Sequence, residues 1–561
     1  MATRRLPRNK TPLDGLRETP SVTSSSRDRT PDVVDDATRP VSRRNGRRGS
    51  QVSTASSTGR RSRAGSVASS VSKKSSRAGT PGSAITGDSE DDDDEEEDDE
   101  EDDGEEDEDE DSEEDVVYVK ENGMSHQPTS SSSSHFEFLG PHGTILVVLA
   151  VPITAFTLQL LNDPVKGFPP PSFYTSPFAT LKDRFVESTI FNITSFLIVW
   201  AWLAFQAALH GFLPGTYAKG NPVPATGQRL EYKINAFSCL VATYLALYVL
   251  FSARGVEPFL WVADNMLPLA TATSTIALTA SVLLYALSHR IPEDPVHNPV
   301  ITAAGGDTGY PLYDFWMGRE LNPRLFGWFD LKYFCELRPG IIGWTVLNLC
   351  LAIKQHHIFG SVSDGMLLVV LFQGYYAIDG LWNERAILTT MDITTDGFGM
   401  MLCFGDLVWV PFTFSLQALY LATNPASLSR TSILAIVLLE LFGMYIFRAA
   451  NSEKDAFRTD PSHPSVQHLE YINTQRGTRL LVSGWWGLAR HINYFGDWLM
   501  GLAWCLTTGF ASPIPYFYAL YFAILLVHRD RRDEAVCRAK YGADWDVYTA
   551  TVPYRFIPGL W

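Results

Sequence analysis

The chain has 561 residues, a formal charge of −17 and a mean hydropathy of −0.04, and each of these averages conceals a division. Residues 1–87 carry 18 Lys/Arg against 6 Asp/Glu, and residues 88–115 carry 25 acids and no base, so the acidic balance says little about the rest. Six cysteines with no CxxC spacing argue against a disulfide framework or a zinc site, and most of them read as small apolar residues.

Residues 1–135 are mainly Ser, Thr, Arg, Gly, Asp and Glu. Such a segment buries too little apolar surface to offset chain entropy, which predicts a disordered tail, basic and Ser/Arg-rich over 1–87 and acidic over 88–115. Runs such as Arg43-Arg44-Asn45-Gly46-Arg47-Arg48 suit weak, salt-dependent contact with polyanions, chromatin among them. The acidic run suits basic partners, or serves as a solvated spacer. The first 115 residues contain no apolar core of a signal peptide, so membrane insertion is expected to rest on internal helices.

From Phe136 the texture changes. Apolar stretches occupy 144–162, 187–213, 234–253, 265–288, 340–358, 364–380, 399–423, 431–448, 497–511 and 513–527. Several approach the roughly 20 residues that span hydrocarbon as a helix. The pattern predicts an all-α polytopic membrane protein with about ten transmembrane helices and a disordered N-terminal tail. The connection 289–339 is long, and its aromatics and glycines predict an ordered, partly buried segment.

Ionisable residues inside spans are costly and usually face a cavity or a partner. Helical spacing puts Tyr376, Asp379, Gly380 and Asn383 on one face, followed by Asp392, Asp396 and Asp406. For the reaction that the resemblance described below implies, Tyr376 is the leading proton donor, because a phenol stays protonated at neutral pH without an uncompensated buried charge. Asp379 and Asp406 are the alternatives. The competing role for each is a hydrogen bond that holds the bundle together.

Two polar clusters close the chain. One is Gly484-Trp485-Trp486-Gly487-Leu488-Ala489-Arg490-His491-Ile492-Asn493-Tyr494; the other runs from His528 to Glu534 and on through Cys537, Lys540 and Tyr541. Lys454 and Arg458 are four apart, as are Arg529, Asp533, Cys537 and Tyr541, so each set shares a helical face. Paired cations and an Arg/Asp/Tyr face suit an anionic, dinucleotide-like ligand, although a solvated juxtamembrane face has the same composition. No GxGxxG follows a strand, so a Rossmann module is not indicated.

Leu480–Asp497, Leu526–Glu534 and Val552-Pro553-Tyr554-Arg555 resemble the signatures of the sterol reductase family, and the likeness extends from about Phe136 to Trp561. Phe329–Gly340 and Thr389–Phe412 are most similar to its branch of Δ14-sterol reductases and the reductase domain of lamin B receptor. The resemblance implies a transmembrane sterol reductase domain over 136–561 in the endoplasmic reticulum membrane, with NADPH bound by about 450–561. It carries cofactor contacts onto Lys454, Arg458, Leu481, Trp486, Asn493, Tyr494, Asp533, Cys537, Arg538, Ala539, Lys540, Tyr541 and Tyr548. The implied reaction is reduction of the C-14(15) double bond of an 8,14-diene sterol, with Phe404 and Trp409 as candidate aromatic stabilisers of a transient cation. The alternatives are a nuclear-envelope tether, or reduction of a Δ7 or C-24(28) double bond.

Overall fold

The computed structural model describes residues 136–163, 165–223, 227–290, 300–303 and 305–561. The expectations of disorder and polyanion contact over 1–135 lie outside the described residues. Eight helices among the described residues are long and apolar enough to cross a membrane: α1 (Gly140–Leu160), α2 (Ile193–Phe212), α3 (Ala236–Arg254), α4 (Met266–Leu287), α5 (Leu331–Phe359), α6 (Asp364–Trp382), α7 (Met400–Leu421) and α8 (Arg430–Thr459). The last two apolar stretches of the sequence also form helices, α9 (Ile492–Leu506) and α10 (Phe517–Tyr541). They fall short of the other eight because α9 has only 15 residues and the second half of α10 is charged. Helix α11 (Ala543–Thr551) follows. The protein is a polytopic α-helical membrane protein.

Local signals set several helix starts. Asn192, Ser363 and Ser429 accept backbone N–H bonds from Ser195, Met366 and Ser432, capping α2, α6 and α8. Helix α7 is 78% buried against 22% for α2 and α3, so it forms the axis of the bundle while those two face outward. Three short antiparallel hairpins lie outside the spans: β1 (Thr216–Pro222) with β2 (Arg229–Ile234), β3 (Arg324–Leu325) with β4 (Phe329–Asp330), and β5 (Tyr471–Asn473) with β6 (Arg479–Leu481). Within the connection 289–339, the helical turn Pro311–Met317 buries Tyr313, Asp314, Trp316 and Met317.

Helices α5 and α7 each contain a π-helical segment, Glu336–Ile342 and Gly405–Thr413, and each segment holds a proline, Pro339 or Pro411. Proline removes a backbone donor and crowds the preceding turn, and the wider π turn accommodates both. The two segments pack on each other. At their crossing a Cβ on Gly340 would stand 2.5 Å from the Asp406 carbonyl oxygen, so only glycine permits this approach. Beside it, Arg338 and Glu384 form a fully buried ion pair at 2.9 Å. Arg338 also reaches Asn235 at 2.7 Å, and the Glu384 carboxylate takes the Ala236 N–H at 2.7 Å, tying the start of α3 to α5.

Candidate functional site: a dinucleotide face and a buried polar chamber

The two C-terminal clusters of the sequence meet in space because the chain end is threaded between them. The N–H groups of Arg490 and His491 donate to the carbonyls of Tyr554 and Arg555 at 3.0 and 2.8 Å, and the Arg490 guanidinium reaches Val552 O at 2.9 Å. Arg555 pairs in turn with Asp530 on α10. The turn that opens the first cluster depends on Gly484, whose φ of +61° and missing Cβ let the Glu453 carboxylate of α8 take the Trp485 N–H at 2.8 Å.

Lys454 and Trp486 face each other, with the ammonium 4.1 Å from the ring centroid, and the indole N–H donates to Ala450 O at 2.8 Å. Arg458 is exposed one turn further along α8. Asn493 donates to Asn451 at 3.1 Å, and its own carbonyl oxygen is buried without a partner among the described residues. His491 and Tyr494 stack at 4.9 Å with 13° between the planes. Asp533 lies 3.5 Å from His491 and accepts from the Cys537 thiol at 3.7 Å.

Burial dominates the titration of this face. It pushes the Cys537 thiol up to about 12, with Asp533 adding to the rise. Burial also raises the Asp533 carboxyl, against the pull of Lys454. Together with Lys454 and Arg490 it lowers the His491 imidazole to about 3. The carboxylates beside His491 do not reverse this, because Arg555 answers Asp530 and Lys454 answers Asp533.

The remaining residues of the implied cofactor set divide. Leu481 on β6 is buried with Phe457 and Trp486, and Tyr548 on α11 is buried against Trp545. Lys540 stands 5.1 Å over the Tyr541 ring. Arg538 bridges Glu534 at 3.1 Å and Asp546 at 2.5 Å, and Ala539 is exposed.

Arg529 starts the same helical face as Asp533 but turns toward the bundle. It holds Asp392 at 2.6 Å, while Arg532 holds Asp396 at 2.6 Å and Glu137 at 2.7 Å. The charge of Arg529 also acts on Tyr494, Glu336, Tyr376, Asp497 and Tyr521. Polar groups of α5, α6, α9 and α10 thus lie within electrostatic reach of one cation, and we call this buried polar region the chamber. Tyr376 lies among them, edge-on to Trp504 at 5.2 Å and to Trp344 at 6.3 Å, with Asp497 of α9 within electrostatic reach of its hydroxyl. Asp406 is 7% exposed, and its Oδ2 is buried without a partner among the described residues.

The polar face expected on α6 is therefore divided. Asp379 pairs with Arg448 of α8 at 3.1 Å and receives the Asn383 side chain, so it faces away from the Asp406 side of the chamber. Of the two aromatics proposed for cation stabilisation, Phe404 is fully enclosed in the hydrophobic core. Trp409 instead lines a lateral crevice of about 240 Å³, together with Val151, Thr154, Phe517, Tyr521 and Ile524. Leu520 and Ile524, on its rim, are 64% and 62% exposed on the outside of the bundle.

Sequence reasoning did not single out Glu336 or Asp497, and it placed Asp392 only in a polar series and Arg529 only on the outer helical face with Asp533. Asp497 ends the Leu480–Asp497 stretch, three residues beyond the first cluster, and its position was the available signal. What places it against Tyr376 is the packing of α9 on α6, which no spacing encodes.

The chain belongs to the family described as the ergosterol biosynthesis ERG4/ERG24 family, whose profile matches residues 132–561. It is 46% identical over 429 residues to the Delta(14)-sterol reductase of Ascobolus immersus, covering 76% of this chain and 99% of that protein. Against Delta(14)-sterol reductase TM7SF2 of Mus musculus the identity is 45% over 430 residues, or 76% of this chain and 98% of that one. Delta(14)-sterol reductase LBR of Gallus gallus is 43% identical over 434 residues, which is 76% of this chain and 64% of the relative.

Proposed function

We propose that this protein is an NADPH-dependent Δ14-sterol reductase of sterol biosynthesis, working in the endoplasmic reticulum membrane. The observation that carries the reading is the placement of Tyr376. Its phenol sits in an aromatic wall of Trp344 and Trp504, within electrostatic reach of Arg529, which belongs to the same helix that carries the dinucleotide face.

The residues fit the cofactor. Lys454 and Arg458 supply cations on one helical face for the phosphate that distinguishes NADPH from NADH. The unpartnered carbonyl of Asn493 is an acceptor for a carboxamide N–H, and Asp533 offers a second polar anchor. When bound, NADPH supplies the hydride that completes the reduction.

The protein's own part is proton transfer and exclusion of water. Tyr376 protonates C-15 of the 8,14-diene as its O–H bond breaks, the electrons of the C-14(15) double bond forming the new C–H bond. The cation left at C-14 is delocalised into the remaining double bond. Asp497 orients the hydroxyl, and Trp344, Trp504 and Tyr518 keep the donor dry. The crevice at Trp409 and Tyr521 opens toward the membrane interior and gives an apolar substrate a lateral approach.

The test uses the full-length enzyme in proteoliposomes with NADPH deuterated at the transferable position and three sterols: an 8,14-diene, a Δ7-sterol and a 24(28)-ene. Deuterium at C-14 of the first substrate alone is the expected result. Reduction of either other sterol at a comparable rate overturns the Δ14 assignment, and equal rates with NADH overturn the cofactor assignment.

A further inference from the structure

The four residues before α1, Phe136–Leu139, form a strap laid across the connection 289–339 and α10. Phe136 stands edge-on to Tyr310 and Tyr313 at 5.5 and 5.2 Å. Phe138 is edge-on to Trp316 at 5.7 Å and stacks on His528 of α10 at 4.8 Å, with 25° between the planes. Between the two rings the Glu137 N–H donates to the Tyr313 hydroxyl at 3.1 Å. None of these contacts takes part in the proposed proton transfer.

The strap is held against its own backbone preference. Phe138 and Leu139 have φ of +51° and +62°, a left-handed conformation that side-chain-bearing residues keep only where their surroundings impose it. Leu139 is 91% exposed, so its side chain does not impose the turn. The turn is fixed by the Gly140 N–H, which donates to Glu137 O at 2.8 Å, and by the ring contacts of Phe138. Gly143 completes it, since a Cβ there would stand 1.9 Å from Phe138 O. This turn delivers the Glu137 carboxylate to Arg532. The guanidinium donates twice to Asp396, at 2.6 and 3.0 Å, and its Nε stands 2.7 Å from Glu137 as an ion pair without the alignment of a hydrogen bond. Asp396 is itself anchored, its carbonyl accepting from the fully buried Lys332 at 2.7 Å. Arg532 is thus clamped between two carboxylates with only 13% of its side chain exposed, where salt screens little.

We propose that Glu137 is a positioning residue for NADPH: with Asp396 it fixes the rotation of the outer half of α10, and so the place of Asp533. Arg532 precedes Asp533 on the unbroken helix Phe517–Tyr541, and successive side chains of a helix stand about 100° apart around its axis. Asp530 and Glu534 lie about 160° from Arg532, on the opposite flank. That flank is held by Arg555, which pairs with Asp530 and reaches Glu534 at 3.1 Å. Asp533 stands between the two supports, 3.5 Å from His491. With the Glu137 support gone, the helix turns toward the Arg555 side and Asp533 moves off its station. The inference rests on the outer face as the NADPH site and is independent of Tyr376.

The experiment uses the full-length enzyme in lipid nanodiscs, with NADPH affinity read from nicotinamide fluorescence and initial rates measured on an 8,14-diene sterol. Glu137→Gln is expected to raise the Kd and KM for NADPH about tenfold, with kcat and the sterol KM within about twofold of wild type. Glu137→Asp keeps the charge and is expected to recover the wild-type KM to within about threefold. Unchanged NADPH affinity in Glu137→Gln, a fall in kcat with KM unchanged, or Glu137→Asp as impaired as Glu137→Gln overturns the positioning role. Phe138→Leu, which removes the stack on His528, replaces Glu137→Gln under the same criteria if that variant does not accumulate. Asp533→Ala is the control for the underlying reading. Normal NADPH affinity in that variant removes the outer face as the cofactor site, and the role of Glu137 with it. A weakened Asp533→Ala beside an unchanged Glu137→Gln removes the strap alone.

Discussion

Helix α10 passes through two environments, and the contrast suits the proposed pairing of a water-soluble cofactor with a membrane substrate. Its outer half carries Asp533 and Cys537 toward His491 and the Lys454–Trp486 pair, a face assembled from chain segments that run outside the spans. One turn earlier, Arg529 points into the bundle and is matched by Asp392. The outer face suits the proposed recognition of a dinucleotide, with cations, stacked rings and an amide oxygen that has no partner among the described residues. The inner chamber suits the proposed proton chemistry, with a phenol in an aromatic wall and a buried carboxyl on α7. Four residues of one helix, about 6 Å along its axis, separate the two.

The contrast predicts different kinetic signatures for damage on each side. The largest effect belongs to the chamber. Tyr376→Phe keeps the ring against Trp504 and Trp344 and removes only the hydroxyl. Turnover should fall by about 10²–10⁴-fold with sterol and NADPH dissociation constants within a factor of two. Near-normal turnover with both ligands bound normally would move the donor role to a carboxyl group.

Damage to the outer face should appear in binding. Replacing Lys454 and Arg458 together by Ala removes the two cations proposed to face the phosphate dianion, and each charge-assisted bond is worth about 1.5–3 kcal/mol. The KM for NADPH should rise about 100-fold, while kcat changes little and the KM for NADH stays within a few-fold. Equal losses for the two dinucleotides would mean that the pair supports the Trp486 platform and does not read the phosphate.

The two regions also differed in how far the sequence revealed them. The outer face is written in local motifs: a four-residue interval for Lys454 and Arg458, another for Asp533 and Cys537, and a glycine-bracketed aromatic cluster. Helical geometry converts such intervals into faces without knowledge of the fold. The spans were legible for the same reason, since apolar length is a local property. The chamber is different. It joins Glu336, Tyr376, Asp392, Asp406, Asp497 and Arg529 from distant parts of the chain, and two of these sit on π-helical segments whose wider turn breaks the regular spacing. The spacing rule correctly set Tyr376 and Asp379 within one turn of α6, but Arg448 of the neighbouring helix draws Asp379 aside. Partners of that kind are fixed by packing, which pattern alone does not specify.

The smallest predicted effect concerns the joint between the regions, His491, which stacks on Tyr494 and lies between Asp530 and Asp533. Burial, with Lys454 and Arg490, lowers its imidazole to about 3 from an ordinary value of 6.5. The folded protein therefore holds this ring neutral at every physiological pH. The unfolded chain binds a proton to it below about pH 6.5 and the folded chain does not, so the unfolded state gains as pH falls from about 6.5 toward 3. Above pH 6.5 neither state binds the proton and the contribution is flat. One proton sets the limiting slope at about 1.4 kcal/mol per pH unit. His491→Gln keeps a polar group of similar reach and cannot titrate. Thermal unfolding of the two proteins in the same detergent should give parallel midpoints between pH 7 and 8 and a shallower acid decline for the variant between pH 6 and 4.5. A steeper decline in the variant would mean that the native ring is protonated and paired with Asp530 and Asp533, the opposite arrangement.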